Sequence, residues 1–179
     1  PRGNGTVNQA VWADFDNDGL KDVAISMSSQ LEFDYVFYWN LGDFNFEFVD
    51  IGLPTLNYVR QKAGDFNQDG LIDLAFTGSD KLTLSSVDWQ ADFYFYYNQG
   101  DLEFTEGFKI DDIGIFRTTV DAADYTNDGF SDIMVYGTAS DFLTIRYFVN
   151  NQDGTFSDMV YNVEGGEYGS GWFADIDLD

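Results

Sequence analysis

Asp14-Phe15-Asp16-Asn17-Asp18-Gly19-Leu20-Lys21-Asp22 is a nine-residue run with carboxylates at positions 1, 3, 5 and 9 and glycine at position 6. It recurs as Asp65-Phe66-Asn67-Gln68-Asp69-Gly70-Leu71-Ile72-Asp73 and as Asp124-Tyr125-Thr126-Asn127-Asp128-Gly129-Phe130-Ser131-Asp132. A fourth copy opens at Asp175-Ile176-Asp177-Leu178-Asp179, so the starts lie 51, 59 and 51 residues apart. Half of the Asp residues, 13 of 26, fall in these four segments, and a repeat in such phase must organise the fold.

A second landmark keeps step with the first. Trp39-Asn40-Leu41-Gly42-Asp43-Phe44-Asn45-Phe46 answers to Tyr97-Asn98-Gln99-Gly100-Asp101-Leu102-Glu103-Phe104, and more loosely to Val149-Asn150-Asn151-Gln152-Asp153-Gly154-Thr155-Phe156. Each is an apolar run, a polar turn cluster and another alternating run, which is a hairpin signal. Filling in the rest gives four short strands per unit. They cover 8–13, 20–28, 34–40 and 45–50; then 58–63, 71–79, 91–98 and 103–108; then 117–123, 130–137, 142–150 and 155–161. A further strand over 168–174 begins a fourth unit. No 11-residue window carries a 3.6-residue apolar period, so helix should be scarce.

The expected architecture is therefore all-β: four-stranded propeller blades at 8–57, 58–116 and 117–167, plus the first strand of a fourth at 168–179. The residue before each acidic loop is small (Ala13, Gly64, Ala123, Ala174), as the innermost strand of a blade requires where blades converge.

The loops ask for a cation. Four carboxylates that close cannot all stay ionised without a compensating charge. A turn at Gly19 points Asp14, Asp16, Asp18 and Asp22 at one centre, and the Leu20 carbonyl at position 7 completes an oxygen shell of the calcium type. The same positions in the second loop are Asp65, Asn67, Asp69, Leu71 and Asp73. In the third they are Asp124, Thr126, Asp128, Phe130 and Asp132, where the neutral Thr126 predicts weaker binding. The fourth offers Asp175, Asp177 and Asp179 without the glycine or the closing Asp. An EF-hand would need a bidentate acid at position 12 between helices. Position 12 is Ile25, Phe76 or Val135, each in a β-rich run, so that alternative fails.

Composition narrows the function. Against 32 acidic residues stand 8 basic ones, no histidine and no cysteine, for a formal charge of -24. Nucleic acid and anionic membranes both need a positive footprint, and no apolar run is long enough for a spanning helix. Imidazole and thiolate chemistry are absent, leaving hard cations or carboxylate catalysis. Only six glutamates are present, and the close pair Glu164 and Glu167 reads as a solvated Gly-rich loop rather than an acid/base pair, so no enzyme is expected. Exposed rings such as Trp89 and Tyr58 are candidates for stacking on sugars.

With these landmarks together, the chain resembles the FG-GAP/VCBS repeat family, which includes the calcium-binding blades of integrin α-subunit propellers. The resemblance spans residues 8–179 and implies that the loop between the first two strands of each blade holds Ca2+ as a structural ion. It also implies an extracellular or cell-surface module for adhesion or protein binding. The alternative is a carbohydrate-binding module, or a non-catalytic part of a polysaccharide-degrading enzyme. Expected partners are a protein or glycan ligand, or a second copy that completes the fourth blade.

Overall fold

The computed structural model describes residues 6–28, 33–80, 91–111, 113–139 and 142–164. The fourth loop (Asp175, Asp177, Asp179), the strand expected over 168–174, Trp89 and Glu167 lie outside them. Among the described residues, twelve strands form three four-stranded antiparallel meanders. The first contains β1 (Thr6–Ala13), β2 (Asp22–Ser28), β3 (Phe33–Asn40) and β4 (Phe46–Val49). The second contains β5 (Asn57–Gly64), β6 (Asp73–Ser79), β7 (Asp92–Asn98) and β8 (Phe104–Ile110). The third contains β9 (Phe116–Ala123), β10 (Asp132–Ala139), β11 (Phe142–Asn150) and β12 (Phe156–Glu164). The expected all-β blades are thus present. No helix among the described residues is long and apolar enough to cross a membrane.

The second strand of each blade starts two residues later than the apolar pattern suggests, at Asp22, Asp73 and Asp132. The cause is local. The Leu20, Leu71 and Phe130 amides donate to the position-5 carboxylates at 2.7–2.8 Å, which keeps positions 7 and 8 in the loop. Each first ladder also carries a register shift, at Val7/Gln9, Asn57/Arg60 and Tyr136/Thr138.

The blades stack along their first strands: β1 approaches β5, and β5 approaches β9. Small side chains permit this, and a Cβ added at Gly64 would already meet the Phe66 ring at 3.1 Å. Between the first two blades lies a core of Phe15, Phe37, Leu74, Phe76 and neighbours; between the second and third lies one of Phe66, Phe93, Phe95, Phe148 and neighbours. Phe93 stacks on Phe148 across the second interface with centroids 4.5 Å apart. Burying one such ring stabilises by about 1.5–3 kcal/mol, so these two layers dominate the packing energy. A buried polar bridge sets blade register near the inner strands. Gln61 receives the Tyr35 hydroxyl, and its amide groups bond to Gln9 and to the Ala24 carbonyl. Burial pushes the Tyr35 hydroxyl pKa upward, so it stays a donor.

Candidate metal centre

The three described loops have one backbone. Positions 4 and 6 are left-handed in all of them: Asn17, Gln68 and Asn127 at φ 57–60°, and Gly19, Gly70 and Gly129 at φ 89–92°. Glycine meets the second requirement without a Cβ penalty, and Asn tolerates the first better than most residues. Two left-handed residues in so short a run curl the chain tightly, and in the first loop the side chains of positions 1, 3 and 5 come together.

In the first loop, one carboxylate oxygen from each of Asp14, Asp16 and Asp18 lies within 4.8 Å of the others. Backbone amides hold three of their oxygens: Gly19 N to Asp14 Oδ2 at 2.9 Å, Asp18 N to Asp16 Oδ1 at 3.2 Å, and Leu20 N to Asp18 Oδ1 at 2.7 Å. The Trp39 indole N–H donates to Asp16 Oδ2 at 2.6 Å. Asp14 Oδ1 is shielded from solvent and accepts no hydrogen bond from the protein. Ion pairs among the described residues join Lys62 to Asp121, Lys109 to Asp92 and Asp111, and Arg146 to Asp158. None of these reaches a loop carboxylate. Three close carboxylates, no basic side chain among those pairs, and one buried orphan oxygen make a donor set that fits a hard divalent cation.

Position 9 is built differently. Asp22, Asp73 and Asp132 are fully buried, and both oxygens of each accept backbone N–H groups. One oxygen takes the position-2 amide of its own loop: Phe15 at 2.9 Å, Phe66 at 3.0 Å, Tyr125 at 2.9 Å. The other takes the amide of the hairpin asparagine: Asn40 at 2.9 Å, Asn98 at 2.9 Å, Asn150 at 2.8 Å. This carboxylate therefore ties the acidic loop to the third strand. Burial raises the Asp22 pKa and carries that of Asp73 to about 7, against the lowering effect of those two amides. In each case two loop carboxylates push the same way as burial. Remaining lone pairs on these oxygens can still face a cation.

The other loops satisfy more of their own acid. In the second, both Asp65 oxygens accept amides, and the Asn67 side chain donates to Asp69 Oδ2 at 2.9 Å. In the third, both Asp124 oxygens accept amides, and Gln152 donates to Asp128 Oδ2 at 3.0 Å. The Phe130 amide, then the Gln152 amide and the Thr126 hydroxyl, hold Asp128 below the usual carboxylate range.

Two features escape a motif reading. The position-4 side chains link the loops in series: Asn17 Nδ2 donates to the Gly70 carbonyl at 3.0 Å, and Gln68 Nε2 to the Gly129 carbonyl at 2.5 Å. The hairpin asparagines also latch blades together. Asn98 Nδ2 reaches back to the Phe15 carbonyl at 2.7 Å, and Asn150 Nδ2 to the Phe66 carbonyl at 2.8 Å. The phased recurrence of Asn at 40, 98 and 150 was the available signal, but a turn role explained it equally well.

This geometry agrees with a family-level comparison. The model of the FG-GAP-like repeat matches residues 14–76 and again 65–135, together more than half of the chain. The chain belongs to the FG-GAP-like repeat family. Both FG-GAP matches begin at position 1 of an acidic loop and reach into the second strand of the following blade, so the matched unit is the loop-to-loop segment. FG-GAP-like repeats are structural modules, and this chain is non-catalytic in that sense. A search of curated proteins found no matching relative.

Proposed function

We propose that this chain is a calcium-binding, extracellular or cell-surface propeller module that acts in adhesion or protein binding, with calcium in a structural role. The observation that carries the reading is Asp14 Oδ1, a buried carboxylate oxygen without a protein partner inside a cluster of three carboxylates. Asp14, Asp16 and Asp18 would hold the ion in the first loop, with the Leu20 carbonyl and Asp22 completing the set. Asp65, Asn67, Asp69, Leu71 and Asp73 repeat it, as do Asp124, Thr126, Asp128, Phe130 and Asp132. When bound, the ion supplies positive charge that offsets carboxylate repulsion and cross-links the loop. A structural calcium ion needs a compartment rich in the free ion, which supports placement outside the cell.

Thermal melting at fixed ionic strength, with calcium and then with a chelator, tests the proposal. Binding to the native state alone adds about 2.7 kcal/mol per site at a hundredfold excess over Kd, so chelation should lower the midpoint sharply. An unchanged midpoint overturns the structural-calcium reading.

A second reading, glycan binding, rests on Tyr58. This half-exposed ring sits at φ 53° in the irregular part of the β5 ladder, and a bulky residue held in left-handed backbone points to a retained role. Loss of a glycan-array signal in Tyr58→Ala with melting unchanged would favour it.

A further inference from the structure

Ligands and links alternate along the first loop. Asp14, Asp16 and Asp18 supply the gathered carboxylates, while Phe15 and Asn17, set between them, reach the second blade. The Phe15 carbonyl accepts Asn98 Nδ2 at 2.7 Å, and Asn17 Nδ2 donates to the Gly70 carbonyl at 3.0 Å. Both bonds land on the frame of the second loop. Gly70 stands between Asp69 and Leu71, the candidate ligands at positions 5 and 7. Asn98 also gives its backbone N–H to Asp73 Oδ1 at 2.9 Å and so holds the position-9 carboxylate.

The second and third loops are joined in the same way. The Phe66 carbonyl accepts Asn150 Nδ2 at 2.8 Å, and Asn150 N donates to Asp132 Oδ1 at 2.8 Å. Gln68 Nε2 meets the Gly129 carbonyl at 2.5 Å. The buried branch is continuous across the three blades. It runs from Asp22 through Phe15 and Asn98 to Asp73, then through Phe66 and Asn150 to Asp132. Every residue in it is at most 4% exposed, which leaves it little room to slacken.

We infer that the loops bind calcium as a coupled series, occupation of one loop raising the affinity of the next through these two links. The inference rests on the calcium reading proposed above, and it makes Asn17, Gln68, Asn98 and Asn150 positioning residues rather than ligands. An ion that draws Asp14, Asp16 and Asp18 together also fixes Phe15 and Asn17, because each lies between two ligands. The second loop then meets its own ion with Gly70 and Asp73 already placed, so less ordering remains to be done. Charge acts the other way, since a loaded first loop attracts a second cation less. Physiological salt screens that effect over about 8 Å and leaves the hydrogen bonds in place.

The glycine amides report the loops one by one, since Gly19, Gly70 and Gly129 N–H each donate to the position-1 carboxylate of their own loop. The test is a calcium titration of the 179-residue chain in physiological salt, followed by NMR at these three amides. Asp14→Asn combined with Asp18→Asn disables the first loop and keeps an oxygen for each amide that those side chains accept. The Gly70 isotherm should then weaken by about tenfold, an ordinary factor for coupled sites, and the Gly129 isotherm by less. Asn17→Gly removes one link without straining a left-handed position. Alone it should weaken the second loop by about threefold, and in its background the loss of the first loop should cost only about threefold more. Melting in chelator checks that the variants fold. A Gly70 isotherm unmoved by loss of the first loop overturns the inference and leaves calcium binding standing. So does a loss that keeps its full size in Asn17→Gly, since the link would then not carry it. Glycine amides that all ignore calcium overturn the calcium reading itself, and the inference with it.

Discussion

Loops 14–22 and 124–132 share a backbone to within a few degrees at their two left-handed positions, yet they handle their acid differently. The first gathers three carboxylates and leaves Asp14 Oδ1 without a donor. The third replaces one carboxylate with Thr126, serves both Asp124 oxygens from the backbone and engages Asp128 with Gln152. Shape is therefore common to the loops, whereas the demand for an external cation is set by individual side chains. Position 9 falls on the common side: Asp22 and Asp132 make the same buried brace.

The strongest way to break this comparison is to remove the brace. Asp22→Ala and Asp132→Ala each strip buried N–H groups of their acceptor, and an unsatisfied group costs about 1–3 kcal/mol. Denaturant unfolding in chelator should show losses of about 2–4 kcal/mol for both. A mild effect at one of them would mean that the brace is not shared.

Exchanging position 3 sharpens the difference between the loops. Thr126→Asp should lower stability in chelator by up to about 1 kcal/mol, because it adds a like charge, and should tighten calcium binding at the third loop. Asp16→Asn should do the reverse at the first loop, with a smaller gain in chelator because Trp39 loses a charged acceptor. Calorimetric titration of both variants against the parent reads the two signs. Parallel changes would remove the distinction.

Coupling between loops is a separate effect. Asn17→Ala deletes the bond to the Gly70 carbonyl and places alanine in left-handed backbone, for about 1–2 kcal/mol in chemical unfolding. It should also weaken calcium binding at the second loop, whose own ligands are untouched. The smallest effect is at Gln152→Ala. It releases Asp128 Oδ2 in an exposed setting, so unfolding should barely change and the first loop's titration should stay as it is.

Much of this was legible in the chain alone. Strand positions follow from alternation bounded by turn residues, so the expected spans agree with the observed ones to within about three residues. The loops followed from four residue types at fixed spacing, because nine consecutive residues carry their own geometry. The blades followed from phase. Even the small residues at 13, 64 and 123 could be placed near the inner strands, since bulk is excluded where sheets converge.

What tertiary structure alone decided concerns neighbours distant in sequence. Asp14 and Asp22 look alike in the motif, but one keeps an orphan oxygen while the other is braced by an amide 18 residues away. Phe44 and Leu102 occupy equivalent turn positions and take the same left-handed backbone, near φ 59°. Leu102 nonetheless packs into the core between the first two blades, whereas Phe44 is exposed, because the first blade stands beside the second hairpin. Local pattern sets conformation through sterics and short-range hydrogen bonds. Burial, and whether a given oxygen needs a cation, depends on which side chains other segments bring into reach.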